Sequence, residues 1–271
     1  MLHQSRWGYR MVLVVVPVHE RGALVRYCLR SATELELPAG SEILVIDDMS
    51  PTLDVPGLIA ETGLVCRYER TAERVGADRM VGRIWRQFLD SGHEHLLFLD
   101  SDMVANRDAV TVGLRLAARF NGLISLYNSI AHKGTAIDDE LVAKRTVGNA
   151  ATLWSRPLAA LALDTVDPAT AGGVDHAYCR LLAARGVPIA VTARSRVQHI
   201  GIYGANNHYF GTLEHGSDFR PDSPVQWEAL GFVYDDLMRR QQAFMPPAVS
   251  LSRVRSLTGK VGSRLKRLFR S

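Results

Sequence analysis

The chain has 271 residues, of which 47% are hydrophobic and 22% charged, the composition of a globular protein with one large or two small domains. Its formal charge is +4, but seven basic residues and no acidic one lie from Ser250 onward. The remainder is therefore slightly acidic and is not predicted to bind nucleic acid. Three cysteines without a CxxC pair argue against a disulfide framework and predict a reduced, cytoplasmic protein.

Residues 11–18 (MVLVVVPV) form a β-branched run, which is typical of a strand buried on both faces of a parallel sheet. The run is too short to cross a bilayer and lacks a cleavage site, so we predict neither a signal peptide nor a transmembrane helix. Strands and helices alternate after it, which predicts an α/β domain with a mainly parallel sheet. They are a helix at 22–35, a strand at 42–46, a loop or short helix, a strand at 65–70, a helix at 79–92 and a strand at 95–100.

The second half of the sequence is less regular. Residues 201–222 are rich in Gly, Asn, His and aromatic residues and show little periodicity, which predicts a long functional loop or lid. The other predicted elements are a strand at 123–129, a strand or turn leading into a helix at 148–163, a helix at 174–186, a strand pair or one bent strand at 187–201, and a helix at 226–245.

Polar residues follow three of the predicted strands at the point where each strand ends. Ligands of open α/β sheets bind outside the carboxyl ends of the strands, so we expect these residues to line one crevice. Asp100 and Asp102 are spaced i and i+2, which in an extended segment places both on one side, and carboxylates are ligands that Mg²⁺ and Mn²⁺ prefer. The alternative is a solvated turn after a strand. The three polar groups are Pro17 to Glu20, Asp47-Asp48 and Asp100-Ser101-Asp102.

Six motifs, taken in order, resemble those of the family 2 glycosyltransferases: VVVPVHE, EILVIDDMS, ERVGADRMVG, LLFLDSDM, GGVDHAYCRLLAARG and VQHIG. The resemblance covers roughly residues 11–201. It implies the GT-A fold, an α/β architecture with a mainly parallel, Rossmann-like sheet flanked by helices and an irregular acceptor-side C-terminal region. We accordingly expect a GT-A domain at 1–247, divided into a nucleotide-binding half at 11–103 and an acceptor-binding half with a lid at 104–247, and a tail at 248–271.

The resemblance implies a divalent cation, Mn²⁺ or Mg²⁺, that offsets the charge growing on the leaving diphosphate. The resemblance makes Asp102 and His199 the implied ligands of this cation. A neutral imidazole suits Mn²⁺ better than Mg²⁺. Asp100 is either a further ligand or a residue facing the sugar or ribose of the donor. Which of the two aspartates contacts the metal directly stays open at this stage.

The same resemblance places donor-binding residues in the first half. VIDDMS is similar to the family's VDDGS motif, in which one aspartate hydrogen-bonds the nucleobase, although Met49 replaces the usual small residue. The segment from Arg74 to Arg79 corresponds to NxGxxxAxN, with arginine at the first Asn. The implied donor-binding residues are Pro17, Val18, Glu20, Asp47, Asp48, Arg74, Gly76, Arg79, Asp100 and Ser101.

Asp175 stands where the family has an ED pair before a helix, here preceded by Val174. The resemblance implies that it is the base that takes the proton of the acceptor hydroxyl in an inverting transfer. Its alternative role, offsetting the helix dipole, would not exclude catalysis. Candidate acceptor-side or lid residues are Trp154, which either stacks on the acceptor or lies in the core, and His176, His208 and His215.

The tail combines an apolar stripe at helical spacing with Lys and Arg opposite, a pattern of helices that lie on anionic membranes. Gly259 and Gly262 weaken a helix, and the alternative is a basic helix packed on its own domain or on another subunit. We expect a cytoplasmic protein, peripheral at the inner face of the membrane if the tail binds lipid.

The predicted function is transfer of a sugar, most simply from a UDP-sugar, to a saccharide or lipid-linked acceptor in cell-surface polysaccharide synthesis. One alternative is a non-catalytic GT-A-like binding subunit, against which Asp100, Asp102, Asp175 and His199 argue. The other is a sugar-phosphate nucleotidyltransferase, which needs a GxGxR loop with a lysine after the first strand. VVVPVHERG contains no such loop.

Overall fold

A computed structural model describes residues 11–130, 132–169, 173–202 and 213–244. The strands are β1 Val12–Val18, β2 Glu42–Asp47, β3 Arg67–Arg70, β4 His95–Phe98, β5 Met103–Ala105, β6 Leu123–Ser125, β7 Thr135–Ala136, β8 Leu141–Ala143, β9 Thr152–Ser155, β10 Ile189–Thr192 and β11 Val197–His199. The helices are α1 Gly22–Ala32, α2 Val55–Thr62, α3 Ala77–Asp90, α4 Ala109–Ala117, α5 Arg156–Thr165, α6 Val174–Ala184 and α7 Pro224–Phe244.

Within the described ranges, nine strands form one sheet in the order β3-β2-β1-β4-β9-β6-β10-β8-β7. The pairings β3-β2-β1-β4 are parallel, and β6 and β10 are parallel to each other. Among these nine described strands, β8 and β9 run opposite to the other seven, which all point the same way. The predicted α/β architecture with a mainly parallel sheet is confirmed.

Side chains of β1 alternate between two core clusters, one on each face of the sheet, as expected for a strand buried on both sides. Val12, Val14 and Val16 pack into the cluster that contains α1 and α2. Leu13 and Val15 pack into the cluster that contains α3, α5 and α6. Helices therefore cover both faces, and the carboxyl ends of β1, β2 and β4 remain as an edge where polar residues gather.

Several short elements were not predicted from the sequence: α4, β5, β7 and β8. The predicted strand pair at 187–201 forms two strands that belong to different sheets, because β10 joins the main sheet while β11 pairs antiparallel with β5. Strands of two or three residues carry too few side chains for a period of two to be recognised.

The chain divides inside α7, between Val233 and Tyr234, into two compact units, and the fold above is that of the first. The predicted boundary at 247/248 and the basic tail lie outside the described residues. No helix among the described residues is long and apolar enough to cross a membrane.

Candidate active site

The segment from Asp100 to Asp102 leaves β4 as a turn. The Asp100 carbonyl accepts a hydrogen bond from the Met103 N–H at 3.0 Å, and β5 begins at Met103. The expectation that this segment is extended is therefore wrong, because residues 100–103 form a hydrogen-bonded turn between β4 and β5. The two aspartates have different surroundings, since Asp102 is buried and Asp100 is partly exposed.

Pairing of β11 with β5 brings His199 to Asp102. His199 lies opposite Met103 in the ladder, and the Ile200 N–H donates to the Asp102 carbonyl at 2.8 Å. As a result, His199 Nε2 is 3.2 Å from Asp102 Oδ2. The residues are 97 positions apart by their numbers, and a two-stranded sheet places them side by side.

Gly201 leaves the space in which this pair meets. A Cβ at this position would lie 2.3 Å from Asp102 Oδ2 and 3.0 Å from His199 Nε2. Any side chain would therefore displace one of the two candidate ligands. Close approach of this kind is one of the reasons a position requires glycine.

A third group, Arg21, contacts the same carboxylate, with Nη1 2.6 Å from Asp102 Oδ2. Burial by itself would raise the pKa of Asp102, but the charges and hydrogen bonds of His199 and Arg21 outweigh it and hold this pKa below its usual range. Burial would likewise lower the pKa of His199, yet the neighbouring Asp102 raises it. These two partners thus keep the Asp102 carboxylate ionised in spite of its burial.

The pKa of Asp100 is shifted in the opposite direction, above its usual range. Desolvation is the largest cause of its raised pKa, followed by the negative charge of Asp102, and together they bring this pKa to about 6. The charge of Asp175 acts on Asp100 in the same direction. Asp175 therefore lies within electrostatic reach of the turn that carries Asp100 and Asp102, although it comes from a helix far along the chain.

Asp175 lies in the first turn of α6, is half-buried, and accepts the His176 N–H on Oδ1 at 2.8 Å. The preceding N–H, of Val174, donates to Oδ1 of Asp78 at 3.2 Å. Asp78 belongs to the first turn of α3, so it links the start of α6 to the start of α3. This contact fixes the backbone that presents Asp175.

Asp48 accepts two backbone hydrogen bonds from the loop before α3, from the Val75 N–H at 2.6 Å and from the Gly76 N–H at 2.8 Å. Gly76 has a φ of 83°, a conformation that favours glycine, and caps α3. Asp48 therefore shapes the loop that contains Arg74 and Gly76. Arg74 and Arg79 are exposed at this loop and the first turn of α3.

Asp47 is fully buried and has several partners. Its carboxylate accepts the Ser50 N–H at 2.8 Å, the Arg70 Nη1 at 2.8 Å and the Tyr68 hydroxyl at 3.3 Å. These contacts hold the turn after β2 against β3. Among the described contacts, both aspartates of the VIDDMS motif hold neighbouring loops and strands of the protein in place.

The residues after β1 differ in accessibility. Pro17 is half-buried, whereas Val18 is 1% exposed and lies in the core, so its side chain is closed to a nucleotide. The carboxylate of Glu20 binds the Thr52 N–H at 2.9 Å and the Thr52 hydroxyl at 2.6 Å, which joins the loops after β1 and β2. Ser101 is buried in the turn between the two aspartates.

Of the acceptor-side candidates, Trp154 needs correction. It is fully buried and packs edge-on against Trp85 and Tyr178, with ring centroids 5.1 and 4.9 Å away, so it is a core residue. His176 and His215 are exposed. His208 lies outside the described residues.

Sequence reasoning missed Arg21, Gly201 and Glu214. The Tyr127 hydroxyl and Gln198 Nε2 donate to the Glu214 carbonyl at 2.7 and 2.9 Å, which holds Glu214 near β11, and its charge raises the pKa of His199 further. Arg21 had a usable signal, since it directly follows the polar residues at the end of β1. Glu214 had no such signal, because the sequence around it shows no helical or strand periodicity.

The sequence matches no protein-family model and no curated protein. Solved structures share its fold. PcManGT, a mannosyltransferase from Pyrobaculum calidifontis in complex with GDP-Man and Mn²⁺, is 16% identical at a TM-score of 0.52, over 91% of this chain and 79% of that one. GalNAc-T7 with UDP, GalNAc and Mn²⁺ is 14% identical at a TM-score of 0.59, over 75% and 46%.

TarS 1-349 from S. aureus in complex with UDP-GlcNAc is 14% identical at a TM-score of 0.52, over 82% of this chain and 65% of that one. This chain thus spans less than two thirds of the TarS and GalNAc-T7 structures. The fold is that of the GT-A type of glycosyltransferase.

Proposed function

We propose that this chain is a glycosyltransferase that moves a sugar from a nucleotide-sugar donor to an acceptor hydroxyl with inversion. The observation that carries the proposal is the convergence of Asp100, Asp102, His199 and Asp175 at the carboxyl edge of the parallel strands. In sheets of this kind that edge is where ligands bind. A fold without such a cluster would leave the activity open.

Asp102 and His199 fit a divalent cation. Asp102 Oδ2 and His199 Nε2 are 3.2 Å apart, so both side chains could contact one Mn²⁺ or Mg²⁺, for which carboxylate oxygen and imidazole nitrogen are suitable ligands. Across the described residues, no group of three or more His, Cys, Asp and Glu side chains could hold a metal alone. Two protein ligands suffice where substrate phosphates complete the coordination. When bound, the cation would offset the negative charge of the leaving diphosphate.

Asp175 is the proposed base. Its carboxylate takes the proton of the acceptor hydroxyl while that oxygen bonds to the anomeric carbon, and the bond from this carbon to the diphosphate oxygen breaks. The diphosphate leaves with the electron pair. Asp78 supports the reaction by fixing the start of α6, and Asp48 by shaping the loop before α3.

The proposed donor is a UDP-sugar, bound between the turns after β1, β2 and β4. The proposed acceptor is a saccharide or lipid-linked oligosaccharide of a cell-surface polysaccharide. Support for the donor comes from the structures of similar fold, two of which contain UDP or UDP-GlcNAc and the third GDP-Man.

A donor screen tests the proposal. We expect UDP with Mn²⁺ to raise the melting temperature, and at about 100 times its Kd a ligand adds ~2.7 kcal/mol to the free energy of unfolding. For a chain of this size that corresponds to roughly 5–10 °C. The measurement is differential scanning fluorimetry with UDP, GDP, ADP, CDP and dTDP, each with Mn²⁺ and with EDTA.

A larger shift with GDP would change the donor class and keep the reaction. If no nucleoside diphosphate stabilises the protein under either condition, the transferase proposal is wrong. Uridine without phosphates is the control, because the diphosphate and the cation are expected to stabilise each other's binding.

Substitution of Gly201 by alanine is expected to weaken Mn²⁺ binding and to lower kcat/KM about 100-fold, since a shift of ~1 Å in a catalytic group has effects of this size. The added Cβ would lie 2.3 Å from Asp102 Oδ2. Isothermal titration calorimetry with Mn²⁺ and the rate of UDP release measure the two effects.

Gly92→Ala is the matched control, because a Cβ there meets nothing within 4 Å. Equal Mn²⁺ affinity of the Gly201→Ala protein and the wild type would show that the space beside Asp102 is not needed for the cation.

A further inference from the structure

Arg21 reaches across the loops of the site to the carboxylate that is the proposed cation ligand. Its Nη1 is 2.6 Å from Asp102 Oδ2, the same oxygen that lies 3.2 Å from His199 Nε2. The side chain of Asp102 is 9% exposed, whereas that of Arg21 is 38% exposed. The guanidinium therefore approaches a buried oxygen from the solvent side and can leave without disturbing the core.

The backbone holds Arg21 in this position. Glu20 and Arg21 have φ angles of 54° and 61°, a left-handed conformation that is unfavourable for residues with a Cβ and persists where the surroundings enforce it. Two anchors enforce it here. Glu20 binds Thr52, and the Arg21 carbonyl accepts the N–H groups of Leu24 and Val25 at 2.9 and 3.1 Å, which starts α1.

Charge and position together make Arg21 an internal counter-cation. A buried carboxylate is costly unless it is paired, and the Arg21 guanidinium supplies the pairing charge at the oxygen that faces the site. A divalent cation bound by Asp102 and His199 would need this same oxygen. A guanidinium and a divalent cation at this one oxygen would repel each other, so each disfavours the binding of the other.

We propose that Arg21 competes with a divalent cation for Asp102 Oδ2, so that Arg21 lowers the affinity of the donor-free protein for the cation. The inference rests on the proposed function in taking Asp102 and His199 as the cation ligands. Its consequence is ordered binding. The donor's diphosphate offers the cation further ligands and offers the displaced guanidinium a new partner, so cation and donor bind far better together than the cation does alone.

The test is the Mn²⁺ affinity of the full chain without nucleotide, measured by isothermal titration calorimetry and by the electron paramagnetic resonance signal of free Mn²⁺. We expect Arg21→Asn to bind Mn²⁺ about 10-fold more tightly than the wild type, because the apparent affinity of a site is reduced by the fraction of protein in which it is blocked. Asparagine tolerates the left-handed backbone, and Arg21→Gly, which tolerates it equally, is the second variant.

Arg26→Ala is the matched control, since it removes an arginine of α1 whose partner, Glu61, lies on the exposed side of the molecule. Its Mn²⁺ affinity should equal that of the wild type. Tighter binding by both Arg21 variants supports the inference. Unchanged or weaker binding overturns it, and so does a complete lack of Mn²⁺ binding in all proteins. In that last case a melting shift of the wild type with UDP would still support nucleotide binding, so the two proposals fail separately.

Discussion

Asp102→Asn is expected to lower kcat/KM by at least about 10²- to 10³-fold, the range seen when one group that stabilises developing charge in the transition state is removed. The neutral amide cannot ligate a cation as the carboxylate does, and it leaves Arg21 and His199 without their shared counter-charge. Calorimetry should show that Mn²⁺ binding is lost, and the rate of UDP release from the donor should fall in parallel.

Asp138→Asn is a control for this substitution, because Asp138 makes a similar ion pair, with Arg119 at 2.6 Å, on the surface. Exposed pairs of this kind contribute little, so its activity should match that of the wild type. If Asp102→Asn keeps normal Mn²⁺ affinity and normal kcat/KM, the assignment of Asp102 as the cation ligand is wrong.

Asp175→Asn is expected to lower kcat about 10²- to 10⁴-fold, the usual contribution of a general base, and to leave nucleotide affinity unchanged. An asparagine oxygen can still accept the His176 N–H, so the start of α6 should be preserved. The measurements are kcat in a transfer assay and the Kd for UDP with Mn²⁺.

Asp164→Asn, an exposed position on α5, is the control for the chemical change. A parallel loss of UDP affinity in Asp175→Asn would instead identify Asp175 as a donor-site residue. An unchanged kcat would place the base elsewhere.

The two aspartates of the turn after β4 have pKa values shifted in opposite directions. Asp102 must stay ionised to bind a cation, and the structure achieves this with Arg21 and His199, which keep its pKa low in spite of burial. Asp100, two residues away, has no such side-chain hydrogen bond among the described residues, and desolvation and the charge of Asp102 raise its pKa to about 6. Environment, rather than residue type, separates the two aspartates.

Local pattern was sufficient for β1 to β4 and for helices α1 and α3. The β-branched run of β1 and the spacing of Met80, Ile84 and Phe88 in α3 reflect burial on two faces and on one face respectively, and burial is what the hydrophobic period reports. The order of the motifs also predicted the fold type. Trp154 could not be placed in this way, because a tryptophan in the core and one that stacks on a sugar look alike in sequence.

By itself, the sequence determined the α/β class and the candidates Asp100 and Asp102, since strand ends and polar interruptions are local features. Asp175 and His199 became candidates through the resemblance to the family 2 glycosyltransferases. Only the tertiary structure decided which atoms meet. The pairing of β11 with β5 brings His199 to Asp102, the absent side chain of Gly201 leaves room for both, and the strained loop after β1 delivers Arg21 to the same oxygen. Such contacts join residues about 80 to 100 positions apart, and no period or spacing along the chain encodes the geometry of their side chains.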